Sequence, residues 1–319
     1  MVDLNLFAGA GGLAVGLHDS GFSPLTLIEK DPKACATLRF NTSGTPPTIH
    51  GFVFEQDVKE VVSWSGFNRP VRLLAAGAPC QPFSLAGKHR ASEDGRNLFP
   101  EVMQAVRELF PLVVVMENVR GLLRDDFRAY FEYILRQLES PSVGPRSDEL
   151  WRDHDARIRR HQCSVGYIPE YHVERRLLNA ADYGIPQNRQ RVFIVATRYD
   201  LPVYKFPEPT HSRASLIRSQ QSGEYWRKHG IRRREMLSSN GRVADARELS
   251  LNPWRTVRDA ISDLPKPALK EGSAWMNHWL IPGARTYPGH SGSVLDWPAK
   301  TVKAGVHGVP GGENAVVLD

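Results

Sequence analysis

The stretch from Val2 to Glu29 constrains the fold most. "VDLNLF" is a short strand pattern, "AGAGG" a turn, "LAVGLHDSG" a helix ending at Gly21, and "PLTLIE" a second strand. Strand, helix and strand in that order make a βαβ unit. Asp31 then stands as a helix N-cap with Pro32 at the first helical position of "DPKACATLRFN". The apolar runs "VRLLAAG" and "LVVVMEN" predict buried parallel strands. Between them "NLFPEVMQAVRELF" places Leu98, Val102, Ala105 and Leu109 on one helix face. The expected fold is α/β, a doubly wound and mostly parallel sheet with its ligands at the carboxyl ends of the strands.

After about residue 138 the texture changes. "ESPSVGPRSDELWRDHDARIRRHQ" is polar and predicts a surface insertion, at about 139–165, with one helix in it. The fold resumes in "YHVERRLLNAADYGIPQNRQRVFIVATR", where "RVFIVAT" predicts one more buried strand. From about Asp200 the chain turns to Pro, Arg, His and Trp with little periodicity. We therefore expect a catalytic and cofactor-binding domain over 1–200 and a second, smaller, loop-rich region over 201–319.

Charge is unevenly spread over these parts. Residues 1–135 hold 13 Lys+Arg against 15 Asp+Glu, and residues 136–319 hold 28 against 20. A basic second half suits a polyanion partner. Cys35, Cys80 and Cys163 lie far apart with no C-x-x-C pair, which argues against a disulfide framework and a zinc knuckle. No metal site is expected. No basic flank with a long apolar run opens the chain, and no stretch of about 18 apolar residues occurs, so the expectation is a soluble cytoplasmic protein without a membrane partner.

Each promising short motif follows a predicted strand. "FAGAGGLA", Phe7 to Ala14, permits a tight turn and close backbone approach to a ligand at a helix N-terminus, and Glu29 at the end of the next strand suits ribose hydroxyls. By itself this loop fits a nicotinamide cofactor as well as an adenosyl one, or a mere turn. In "GAPCQPFS" Pro79 and Pro82 stiffen the loop and display Cys80, which a thiol doing only core work does not need. Glu117 in "MENVRG" suits a ribose ligand, a general acid or a helix cap. Arg189 and Arg191 in "QNRQRVF" alternate on entering a strand, and two same-facing guanidiniums suit an oxyanion, a carbonyl or a phosphate, or a plain surface.

Taken in order, these stretches resemble the cytosine-5 DNA methyltransferases. "LNLFAGAGGL", "LIEKDPKACATLRFN", "QDV" at Asp57, "GAPCQPFS", "GRNLF", "MENVRGLL" and "NAADYGIPQNRQRVFIVATR" follow the family's sequence of motifs from about Val2 to Arg198. The resemblance implies a methyl donor, S-adenosyl-L-methionine, bedded on Phe7, Gly9, Gly11 and Leu13. Glu29 would hold its ribose, Asp57 and Val58 its adenine, and Pro79 the wall shared with the target base. Many relatives carry an aromatic after the ribose-binding acid; Lys30 takes that place here. The resemblance further implies Cys80 as the nucleophile toward carbon 6 of a flipped cytosine, Glu117 on its ring nitrogen and amino group, and Arg191 on its carbonyl, supported by Arg189 and Asn118. Double-stranded DNA is the implied partner and restriction-modification the implied setting.

Some departures accompany the resemblance. "SLAGKHRASEDGRN" resembles the family's mobile loop, and "IRRRE", Trp275, Trp279 and "PAKTVKAGVHGVPGGENAV" resemble parts of its target-recognition region. The family's ninth and tenth motifs are not found. The expectation that follows is a truncated chain, a decayed enzyme, or one completed by a second polypeptide, binding cofactor weakly and methylating poorly alone. A nicotinamide-dependent oxidoreductase leaves "PCQPF" without a task. A tRNA methyltransferase of the same scaffold carries a Cys-Phe-Thr stretch absent here. An inactive DNA-binding scaffold is disfavoured because every expected catalytic side chain is present.

Overall fold

The computed structural model describes residues 1–23, 25–67, 69–79, 97–231, 245–265, 267, 292–302 and, for the backbone, 316–317. The predicted nucleophile Cys80, Pro82, most of the loop at 84–97, nearly all of "IRRRE", Trp275, Trp279 and most of the final Gly-rich stretch lie outside the described residues.

The chain forms two compact units, one of residues 1–177 and 191–206, the other of residues 178–190 and 207–319. The sheet is built from β1 (Val2–Leu6), β2 (Leu25–Glu29), β3 (Gly51–Glu55), β4 (Val71–Ala76), β5 (Val113–Val119), β6 (Tyr171–Asn179) and β8 (Gln190–Arg198), while β7 (Gln187–Asn188) stands apart. Its order is β3-β2-β1-β4-β5-β8-β6. The first five strands in that order pair in parallel, and β8 runs antiparallel to β5. Along β4, Leu74 and Ala76 join one buried cluster and Leu73 and Ala75 the other, so the sheet is covered on both faces.

The helices that cover it are α1 (Gly12–Asp19), α2 (Pro32–Ser43), α3 (Phe99–Leu109), α4 (Arg128–Glu139) and α5 (Trp151–Gln162). Asp31 caps α2 as expected, its carboxylate accepting from Lys33 N and Ala34 N at 2.9 Å each. Leu98, at the N-cap of α3, is buried, as are Val102 and Ala105 within the helix, and Leu109 packs against the cluster that holds those two, as the spacing predicts.

The helix in the polar insertion departs from its expected surface character. In α5 His154 and Ile158 are fully buried. Tyr133 of α4 pairs its hydroxyl with His154 Nδ1 at 2.7 Å, and Arg136 donates to Asp155 at 2.7 Å. These polar groups become compatible with burial because α4 offers complementary partners.

In the second unit α6 (Arg213–Gln221) and α7 (Glu224–Lys228) enclose Leu216, Tyr225 and Trp226. Tyr225 Oη reaches Thr256 Oγ1 at 2.8 Å and donates to Asp296 at 2.9 Å. Among the described residues no helix is long and apolar enough to cross a membrane.

Candidate active site

The strand order reverses at β1, with β2 on one side and β4 on the other, which opens a crevice beyond their carboxyl ends. Phe7, Gly9 and Gly11 form the turn that leaves β1, all with positive φ, at 54°, 55° and 98°. At Gly11 glycine is required twice over. Its φ is unfavourable for any side chain, and an added Cβ meets Leu38 Cδ2 at 2.9 Å and Ile49 Cδ1 at 3.1 Å. Leu13 follows on α1, partly buried against the sheet.

Glu29 organises this turn from the end of β2. One carboxylate oxygen, Oε2, accepts from Gly9 N at 2.8 Å, and the other accepts from Lys30 N and Asp31 N at 2.9 Å each. A carboxylate has about four acceptor positions, so Oε2 keeps one for a hydroxyl in the crevice. Asp57, after β3, caps a short 3₁₀ turn (Val58–Glu60) by accepting from Lys59 N at 3.1 Å. Lys30 reaches across to Asp57 with Nζ at 3.1 Å. Burial alone would raise Asp57, but the Lys59 N–H and the Lys30 ammonium outweigh it and hold the carboxyl below the usual carboxylate range. Lys30 thus tethers Asp57. Val58 is buried in the core beside it.

The loop after β4 lies next to this turn. Gly77 N donates to Leu6 O at 3.4 Å, and Pro79 follows, partly exposed. Asn118 at the end of β5 is buried; its Nδ2 donates to Ala78 O at 3.3 Å and its Oδ1 accepts from Val119 N at 2.8 Å. Asn118 therefore ties the β4 loop to β5. In the antiparallel register Val119 stands opposite Arg191, which sets Glu117 on the same face two residues away. Arg191 Nε pairs with Glu117 Oε1 at 2.8 Å, with the two side chains 19% and 25% exposed. Arg189 lies one residue before β8, in the second unit, where its backbone carbonyl accepts from Ala180 N at 3.0 Å.

Phe7, Gly9, Gly11, Glu29, Lys30 and Asp57 are thus interconnected in the first unit, as are Asn118 with the Pro79 loop and Glu117 with Arg191. Two supports escaped the sequence analysis: the Lys30 and Asp31 N–H groups that share Glu29, and the Lys59 N–H that orients Asp57. All three are backbone donors, which carry no residue signature beyond the acid one or two positions earlier. Among the described residues no group of three or more His, Cys, Asp or Glu is placed to hold a metal ion.

The donors and acceptors fit S-adenosylmethionine: a glycine turn without room for Cβ at Gly11, an acid with one remaining acceptor for a ribose hydroxyl, and a second acid held ionised beside it. The family model for C-5 cytosine-specific DNA methylases matches residues 1–142 and 164–267. The chain belongs to that family of DNA cytosine-5 methyltransferases. Among its relatives, the Type II methyltransferase M.AquIA of Picosynechococcus sp. is 34% identical over 264 residues, covering 82% of this chain and 88% of that one. The Type II methyltransferase M.NgoMIV of Neisseria gonorrhoeae is 36% identical over 215 residues, 67% of this chain and 57% of the relative. A crystal structure of the S. pombe Dnmt2 methyltransferase shares a TM-score of 0.41 at 15% identity, over 64% of this chain and 51% of that one. The methylase match is interrupted at 143–163, the stretch that carries α5.

Proposed function

We propose that this chain transfers a methyl group from S-adenosylmethionine to carbon 5 of cytosine in double-stranded DNA, through a covalent adduct of Cys80 with a base turned out of the duplex. The observation that carries the proposal is the Glu117–Arg191 pair, set on one face at the end of β5 and beside an Asn118 that holds the loop leading to Pro79. Cys80 follows Pro79 directly in the chain.

Carbon 5 of cytosine is a poor nucleophile. Addition of the Cys80 thiolate at carbon 6 makes the ring enamine-like, so that carbon 5 can attack a methyl group. Glu117 accepts from the amino group and shares a proton with ring nitrogen 3, which offsets the negative charge that thiolate addition builds there, with Arg191 orienting that carboxyl group and meeting the carbonyl. S-adenosylmethionine, when bound, supplies the electrophilic methyl group. Glu29 holds the ribose through Oε2, Asp57 meets the adenine amino group, and Pro79 separates the two ligands. A base then takes the carbon 5 proton, the carbon 6–sulfur bond breaks, and the thiolate is restored. Residues 201–319, with their excess of basic side chains, serve as the target-recognition region.

The test is transfer of labelled methyl to unmethylated double-stranded DNA, with tRNA as a control substrate. Label at cytosine carbon 5 is expected with the native chain, none with Cys80→Ala, and a rate lower by about a hundredfold or more with Glu117→Gln. Label in DNA that survives Cys80→Ala would overturn the mechanism, and label in tRNA alone would overturn the substrate. Label that appears only after a family C-terminal fragment is added would assign completion of the enzyme to a second polypeptide.

A further inference from the structure

The first unit also holds a cavity of about 440 Å³ between α3, α4 and residues 145–152, and none of the crevice residues named above lines it. This volume lies in the range of small-molecule sites, about 300–1,000 Å³. Its aromatic wall is Tyr130, Tyr133 and Trp151, whose ring centroids lie 5.4 to 5.7 Å apart. Part of it is built by residues within 143–163, outside the match to the family model. The cavity is therefore partly made by a segment that the family match does not cover.

Two polar side chains on this lining make no hydrogen bond or ion pair among the described residues, although Glu108 acts on one of them, Arg107, through space. Gln137 of α4 is only 6% exposed, and its amide makes no hydrogen bond among the described residues. Its amide therefore keeps its hydrogen-bonding capacity for water or for a ligand in the cavity. Arg107 of α3 is half-buried on the same lining and makes no hydrogen bond or ion pair among the described residues. Burial pushes its pKa below the usual guanidinium value, the signature of a cation short of compensation.

The carboxylate of the lining does not supply that compensation. Glu149 accepts from Arg157 Nε at 2.9 Å and from its terminal nitrogen at 2.7 Å, and from Arg146 N at 2.9 Å. These donors hold its pKa down at about 2. Arg152 adds a second positive charge, lying 5.1 Å from the Trp151 ring centroid. The cavity thus offers net positive charge, an idle amide and flat apolar walls.

We propose that this cavity is a binding site for a small planar organic anion, with its carboxylate or phosphate on Arg107, a polar edge on Gln137 and its ring against the aromatic wall. The site shares no lining residue with the cofactor crevice and does not depend on methyl transfer. A guanidinium pairs with either oxyanion through parallel N–H donors. The insertion supplies one wall, so occupancy should order residues 145–152 against α4.

The test is binding to the full chain by calorimetry and ligand-observed NMR, with 4-hydroxybenzoate and thymidine 5′-monophosphate as probes. Their uncharged counterparts, 4-hydroxybenzamide and thymidine, serve as controls. At least one anion is expected to bind, its neutral counterpart about tenfold more weakly or worse. Arg107→Met should abolish the preference and Gln137→Leu weaken binding several-fold, while Arg107→Lys retains part of it. Binding should be unchanged by Glu29→Gln, which alters the crevice instead. Because Arg107 makes no hydrogen bond or ion pair among the described residues and its burial is not fully compensated, Arg107→Met should unfold at no lower temperature than the native chain. No anion binding below about 1 mM, equal binding of anion and neutral counterpart, indifference to both Arg107 variants, or marked unfolding of Arg107→Met would each overturn the proposal.

Discussion

Glu29→Gln changes one atom and should reveal how far a single carboxylate organises the crevice. Three backbone N–H groups converge on it, from Gly9 at 2.8 Å and from Lys30 and Asp31 at 2.9 Å. A glutamine has one oxygen in place of two. Its better orientation keeps that oxygen on Lys30 and Asp31 and turns its NH₂ toward the Gly9 N–H, donor against donor. The two retained bonds lose their charge assistance, about 0.5 to 1 kcal/mol each, and the Gly9 N–H is left short of an acceptor at about 1 to 2 kcal/mol. The expected loss is about 2 to 4 kcal/mol. In urea titration this should appear as a lower midpoint with an unchanged slope, since the exposed surface on unfolding is the same. Cofactor affinity, measured by calorimetry, should fall by about tenfold or more, because the oxygen with the remaining acceptor position is the one replaced. A variant within about 0.5 kcal/mol of the native chain, with native cofactor affinity, would refute the reasoning.

Two further perturbations address the same region. Gly11→Ala should cost about 2 to 4 kcal/mol, since strained backbone adds to a clash with Leu38 and Ile49, whereas Gly9→Ala, whose added Cβ meets nothing within 4 Å, should cost only about 1 to 2 kcal/mol. Equal unfolding midpoints for the pair would contradict the packing argument. Asp57 has a folded pKa below its unfolded one, so its contribution is present above the unfolded value of about 3.9 and is lost as pH falls through the folded value. Asp57→Asn should therefore destabilise the chain by about 1 kcal/mol at pH 7 and converge with it in strong acid; a constant difference from pH 7 to pH 2 would show that ionisation plays no part.

Much of the first unit was legible because its central strands are buried on both faces. Leu73 to Ala76 and Val113 to Met116 read as unbroken apolar runs, and each candidate residue falls where such a run ends. β3 was harder to see. It is an edge strand whose Phe52 and Phe54 are 64% and 51% exposed, so its pattern does not point inward. The direction of β8 was not legible either, because an apolar run carries no sign of whether its neighbour is parallel. Yet that direction sets Arg191 opposite Val119 and so beside Glu117.

The sequence by itself determined the α/β class, the order of its motifs, and the residue types available at the end of each strand, because burial periodicity and turn chemistry are local properties of the chain. Only the tertiary structure decided which groups meet. Glu29 gathers the N–H of Gly9 from twenty residues away, Lys30 finds Asp57, and the charged face of α5 becomes part of an interior once Tyr133 and Arg136 oppose it. Arg107 and Gln137 read as ordinary helix residues until the fold sets them on one cavity, without a hydrogen bond or ion pair among the described residues. Such pairings depend on distance in space, and only packing converts a residue's capacity for a hydrogen bond or charge into a particular partner or the lack of one.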